Sequence, residues 1–93
     1  MRSTKELLQI LLDHIEELLY LGGNLGLCDL TGALGSRNII STEESFHLWG
    51  YIQTHRPINL HYIMSAFHDD QYFWKAGRIK PRIKWLKQQI KKL

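Results

Sequence analysis

The residues best equipped for chemistry crowd into the last 19 positions. Lys75, Arg78, Lys80, Arg82, Lys84, Lys87, Lys91 and Lys92 stand there without a single acidic neighbour. The preceding 74 residues hold four basic residues and nine acidic ones. A formal net charge of +3 therefore conceals two regions of opposite sign. Tyr72, Phe73, Trp74 and Trp85 punctuate the basic region. Cations interleaved with flat rings suit an anionic partner, whether nucleic acid, nucleotide, acidic protein or membrane surface.

Within that region the cations divide into two sets. At 100° per residue Lys84, Lys87 and Lys91 share one face of a predicted terminal helix, away from its apolar stripe. A solvated lysine face accounts for them, and Lys91 and Lys92 also suit the negative end of a helix dipole. Arg78, Lys80 and Arg82 instead surround the predicted helix start, where the dipole is positive and added cations are unfavourable. A bound anion would explain them, because free backbone N–H groups and side chains converge there. Neutralisation by Asp69, Asp70 or an acidic residue of the first helix is the alternative. Arg82 has a planar fork that can grip phosphate or stack on Trp85 or Trp74. Tyr72 and Trp74 offer surfaces for a base, although aromatic residues of a small protein also serve its core. Arg56 is an outlying candidate.

Other chemistry is poorly represented. His14, His47, His55, His61, His68 and Cys28 include no pair at zinc-type spacing, so no metal is expected. No nucleophile elbow, P-loop or paired-carboxylate arrangement is present, so the chain reads as a binder needing no cofactor, and not as an enzyme. The lone cysteine excludes an intramolecular disulfide and fits a reducing cytosol. No apolar run approaches the ~20 residues of a membrane span. Met1 to Lys5 superficially resembles a signal n-region. Glu6, Asp13, Glu16 and Glu17 break up the apolar stretch that a signal would need next, so an intracellular protein is expected.

These residues must be positioned by a mainly α, compact single domain spanning 1–93. It should have about four helices and an irregular or short-strand segment around residues 58–74. Ser3-Thr4-Lys5-Glu6 is a capping box that opens the first helix. Leu8, Leu11, Leu12, Ile15, Leu18 and Leu19 recur at helical spacing, widened by Leu7, Ile10 and Leu21. So wide a stripe suggests contact with a second copy. Gly22-Gly23-Asn24 should end that helix. A second helix is predicted from Leu25 to Leu34, closed by Gly35-Ser36, with Leu27, Leu30 and Leu34 inward. Ser41-Thr42-Glu43-Glu44 caps a third, which places Leu48, Trp49 and Ile52 on one face and stops before Arg56-Pro57. Pro81 is expected as the first residue of the terminal helix, whose inward stripe is Ile83, Leu86, Ile90 and Leu93. Reading helices two and three as a DNA-binding helix-turn-helix fails on charge, since Glu43 and Glu44 would meet the phosphates first.

Two stretches carry a family resemblance. One is Ile40-Ser41-Thr42-Glu43-Glu44 through Tyr51-Ile52-Gln53-Thr54-His55-Arg56-Pro57. The other is Tyr72-Phe73-Trp74-Lys75-Ala76-Gly77, then Pro81-Arg82-Ile83-Lys84-Trp85-Leu86 and Ile90-Lys91-Lys92-Leu93. With Leu27-Cys28-Asp29-Leu30, they resemble a group of small proteins encoded by large bacteriophages, along nearly the whole chain. The chain is similar to anti-CBASS sponges, which sequester cyclic nucleotide signals of bacterial immunity. That resemblance implies a non-enzymatic homo-oligomer in the host cytoplasm, with a cyclic dinucleotide enclosed between subunits. The site expected from charge and aromaticity is Arg56, Tyr72, Trp74, Arg78, Lys80 and Arg82. The rival is a small basic adaptor that docks on nucleic acid or an acidic host protein. An enclosed pocket would favour the first and an open basic surface the second.

Overall fold

In the computed structural model the described residues are 1–22, 27–55 and 79–93, with side chains 19–22, 27, 28, 79 and 81 set aside. They form four helices: α1 (Thr4–Gly22), α2 (Leu27–Ser36), α3 (Thr42–His55) and α4 (Ile79–Lys92). Among the described residues there is no strand, and the fold is mainly α, as the sequence suggested. The expected irregular segment at 58–74 lies outside the described residues.

α1 is the element the others share. Its Leu7, Leu8, Leu11, Ile15 and Leu18 are buried, while Gln9, Asp13, Glu16 and Glu17 face out. It packs against α4 and against both α2 and α3. These buried residues of the wide apolar stripe are thus covered by three helices of the same chain. The core is completed by Leu30 and Leu34 of α2, Leu48 and Ile52 of α3, Ile40 of the turn, and Trp85 and Leu86 of α4.

Both capping boxes form. Glu6 N–H donates to Ser3 Oγ at 3.2 Å, and Ser3 N–H to Glu6 Oε1 at 3.2 Å. At α3, Glu44 N–H donates to Ser41 Oγ at 3.1 Å and Ser41 N–H to Glu44 Oε1 at 2.9 Å. Glu44 does more than cap. Its Oε2 accepts the Arg2 backbone N–H at 3.0 Å, and Arg2 Nη1 stands 3.6 Å from its Oε1. Arg2 Nη1 also donates to the Ile39 carbonyl at 3.3 Å, and Thr4 Oγ1 shares a 2.6 Å hydrogen bond with His47 Nε2. The chain ahead of α1 is thereby clamped over the start of α3. Hydrogen bonds from the Ser41 and Arg2 backbones, with the Arg2 charge, hold the Glu44 carboxyl below its ordinary value of 4.5 against the opposing effect of burial.

α2 ends differently from its expected stop at Gly35-Ser36. It runs through Ser36, and Asn38 takes the left-handed conformation at φ 58°. Ile39 N–H then bonds the Leu34 carbonyl at 3.0 Å and Asn38 N–H the Gly35 carbonyl at 3.1 Å. This is the paired closure of a Schellman motif, with asparagine supplying the turn. Gly35 serves packing instead. A Cβ there would meet Ser45 Cβ and Oγ, both at 3.1 Å, and Ser45 Oγ is held by its 2.8 Å bond to the Thr31 carbonyl. Gly32, one turn earlier, has nothing within 4 Å of the same position. A glycine inside a helix costs about 1 kcal/mol relative to alanine, and at Gly32 no close approach accounts for it.

Two stripes are also turned from their expected faces. Trp49 is 45% exposed, leaving Leu48 and Ile52 as the buried face of α3. On α4 the buried residues are Arg82, Trp85, Leu86 and Gln89, with Ile83 and Ile90 half-buried and Leu93 exposed. The helix begins at Ile79, so Pro81 is its third residue and not its first. Proline is tolerated there because first-turn N–H groups have no intrahelical acceptor.

Two measurements check this account. Gly32→Ala should raise stability by up to about 1 kcal/mol in thermal unfolding, whereas Gly35→Ala should lose that gain by pressing on Ser45. Glu44, with its lowered folded value, contributes stability that is complete above pH 4.5 and disappears as pH falls through that lowered value. Glu44→Gln should therefore be less stable than the parent at pH 7, and the difference should shrink on acidification below pH 4.5.

Candidate functional site

α4 carries the described part of the basic region. It contains no acidic residue, and Lys80, Lys84, Lys87 and Lys91 are all exposed. With Ile83 and Gln88 they line one shallow, open recess along the helix. Their spacing of four, three and four residues keeps them on one side of the helix. From first to last the row runs roughly 16 Å. Among the described residues no carboxylate lies within ion-pair distance of any of the four, and Arg2 with Glu44 forms the ion pair at a different place in the fold. Like charges at i, i+4 repel by a few tenths of a kcal/mol per pair, a cost that a bound anion would remove.

The structure separates two residues that the sequence grouped. Lys80 joins the exposed lysine row. Arg82 is fully buried, the largest side chain in the described core with no exposed surface. A buried guanidinium requires partners inside the protein, because its isolated charge would cost several kcal/mol. It is therefore out of reach of an extended ligand approaching from solvent. Arg56, Tyr72, Trp74 and Arg78 lie outside the described residues, as do His61, His68 and the side chain of Cys28. Charge counting alone could not separate Lys80 from Arg82. Their difference of two residues, about 200° around a helix, does so once the buried face is known.

α4 is fixed to the body of the protein. Leu86 has no exposed surface and Trp85 has 6%. Tyr51 Oη of α3 donates to Gln89 Oε1 at 2.9 Å. Burial pushes the Tyr51 hydroxyl above its ordinary value of 10.0.

The three described histidines each have a contact within the protein. His14 Nδ1 shares a 2.8 Å bond with the Ile10 carbonyl, His47 meets Thr4, and His55 stacks on Tyr51 with ring centroids 3.9 Å apart. Among the described residues no three potential metal ligands cluster. No helix among them is long and apolar enough to cross a membrane.

A second concavity was not foreseen from the sequence. Between α2 and α3 a groove of about 360 Å³ is lined by residues that include Thr31, Gly32, Gly35, Ser45, Phe46 and Trp49. Phe46 is 71% exposed and Trp49 45%. The available signal was the pairing of two aromatics three apart on α3 with two glycines three apart on α2.

Comparison with protein-family models, curated proteins and solved structures finds no match. The functional reading accordingly rests on this chain's own residues.

The anchoring of α4 can be tested directly. Leu86→Ala should destabilise by about 2–5 kcal/mol, the range for a fully buried leucine, measured by denaturant unfolding. An unchanged midpoint would mean that the lysines ride on a loosely held arm.

Proposed function

We propose that the protein is a non-catalytic binder of nucleic acid, gripping the phosphate backbone through the lysine row of α4. One observation carries this reading: four exposed ammonium groups in line on a firmly docked helix, with no carboxylate partner among the described residues. A row of regularly spaced point charges suits a repeating polyanion. Lysine offers charge without the planar fork that would demand one particular phosphate geometry. Such contacts release counterions and carry little sequence information, so binding should be strongly salt-dependent and tolerant of sequence.

The open face supports this reading over the cyclic dinucleotide sponge. The described cations line an open recess that serves a polymer as it stands, whereas the sponge's enclosed site would need a second copy of the chain, and Arg82 is buried in the core.

The test replaces Lys80, Lys84, Lys87 and Lys91 together with glutamine and titrates a fluorescent single-stranded oligonucleotide at several salt concentrations. All four side chains are exposed, so the fold should survive, and its melting temperature provides the control. For the parent, log affinity should fall linearly with log salt. Loss of four phosphate contacts should flatten the slope by about three, at roughly 0.7 per contact for a single strand. An unaltered slope would overturn the reading. So would tight binding of a cyclic dinucleotide, unaffected by the four substitutions, by a parent protein that ignores the oligonucleotide.

A further inference from the structure

The α2–α3 groove has features that the fold alone does not account for. Leu48 and Ile52 already supply the apolar contacts of α3, yet Phe46 and Trp49 stand on its outer side, substantially exposed. Opposite them, the space above Gly32 is open, and Gly32 stands inside α2 at a position where no neighbour requires glycine. Gly50, one turn beyond Phe46 on α3, is likewise open above its Cα. Phe46 and Trp49 thus share the lining of the groove with Gly32 and Gly35.

The lining fixes the chemistry of an occupant. It contains no charged side chain: besides the aromatics and glycines, its lining residues are Thr31, Ser36, Thr42 and Ser45, of which Thr31 is buried. Phosphates, carboxylates and metal ions would find no counter-charge there. Ser45 Oγ already donates to the Thr31 carbonyl, so this hydroxyl keeps acceptor capacity toward the groove. A volume of about 360 Å³ lies at the small end of ligand pockets, sufficient for one fused ring system and too small for a helical peptide. From these features we infer that the groove binds an uncharged planar heteroaromatic ring, a nucleobase being the fitting class, stacked on Phe46 or Trp49 over Gly32. This inference is independent of the lysine row, because none of the groove's lining residues belongs to α4. The same ring chemistry is offered by a free nucleoside and by an unpaired base in a strand.

The experiment follows the backbone amide signals of Gly32 and Gly35 in the isotopically labelled full chain. Adenosine should shift both signals saturably, and inorganic phosphate should not. A short unstructured oligonucleotide distinguishes the sources: tighter binding than adenosine at the same amides identifies a base within a strand, and weaker binding identifies the free ring. Gly32→Leu fills the slot and should weaken adenosine binding about tenfold or more, on the scale of a lost stacking contact, with helical circular dichroism retained. Should Gly32→Leu fail to fold, Trp49→Ala provides the same reading, since Trp49 contributes little to the core. The inference is overturned if adenosine, cytidine and indole all leave the Gly32 and Gly35 amides unmoved. It is equally overturned if the folded variant binds adenosine as well as the parent.

Discussion

Burial of the leucine face of α1 is the constraint on which the other elements depend. Leu7, Leu8, Leu11, Ile15 and Leu18 have at most 2% of their surface exposed, and three helices are needed to achieve it. That requirement explains why α4 can carry so much like charge. Its inward residues are held by a shared apolar core, so the outward lysines need not contribute to folding. Hydrophobic burial is non-directional and large, whereas repulsion between exposed lysines is small and screened. The stronger effect sets the fold and leaves the weaker one available for recognition.

Polar contacts then fix how the helices are joined. Glu44 caps α3, receives the backbone of Arg2 and pairs with its side chain, so one carboxylate ties together the chain entering α1 and the start of α3. The sequence disclosed half of this. Ser41 and Glu44 stand at capping-box spacing and can be recognised locally. Arg2 is 42 positions away, and no local pattern connects it to Glu44.

Legibility elsewhere follows the same division between local and distant. The α1 stripe, its capping box at Ser3 and Glu6, and the mainly α class were readable because helical periodicity and caps are local signals. The closure of α2 was misplaced because glycine is the usual left-handed residue, whereas Asn38 takes that conformation and Gly35 answers to Ser45 in another helix. Trp49 was expected inside on hydrophobicity, but Leu48 and Ile52 occupy the available face. Arg82 looked like a ligand-binding fork because its charge was visible in the sequence and its burial was not. The row from Lys80 to Lys91 was three-quarters readable; Lys80 was assigned to the helix start because the helix was expected to begin at Pro81.

The contact between Gly35 and Ser45 has a mechanical consequence. Helices separated by ordinary side chains can slide by small steps, exchanging one set of rotamers for another. Here the two helices interlock at a point with no side chain on one partner and a short, hydrogen-bonded one on the other. Shifting α3 by one residue would bring Glu44 or Phe46 against a gap that admits neither. The contact therefore favours one register of α2 against α3, set by a missing side chain on one helix and a short tethered one on the other.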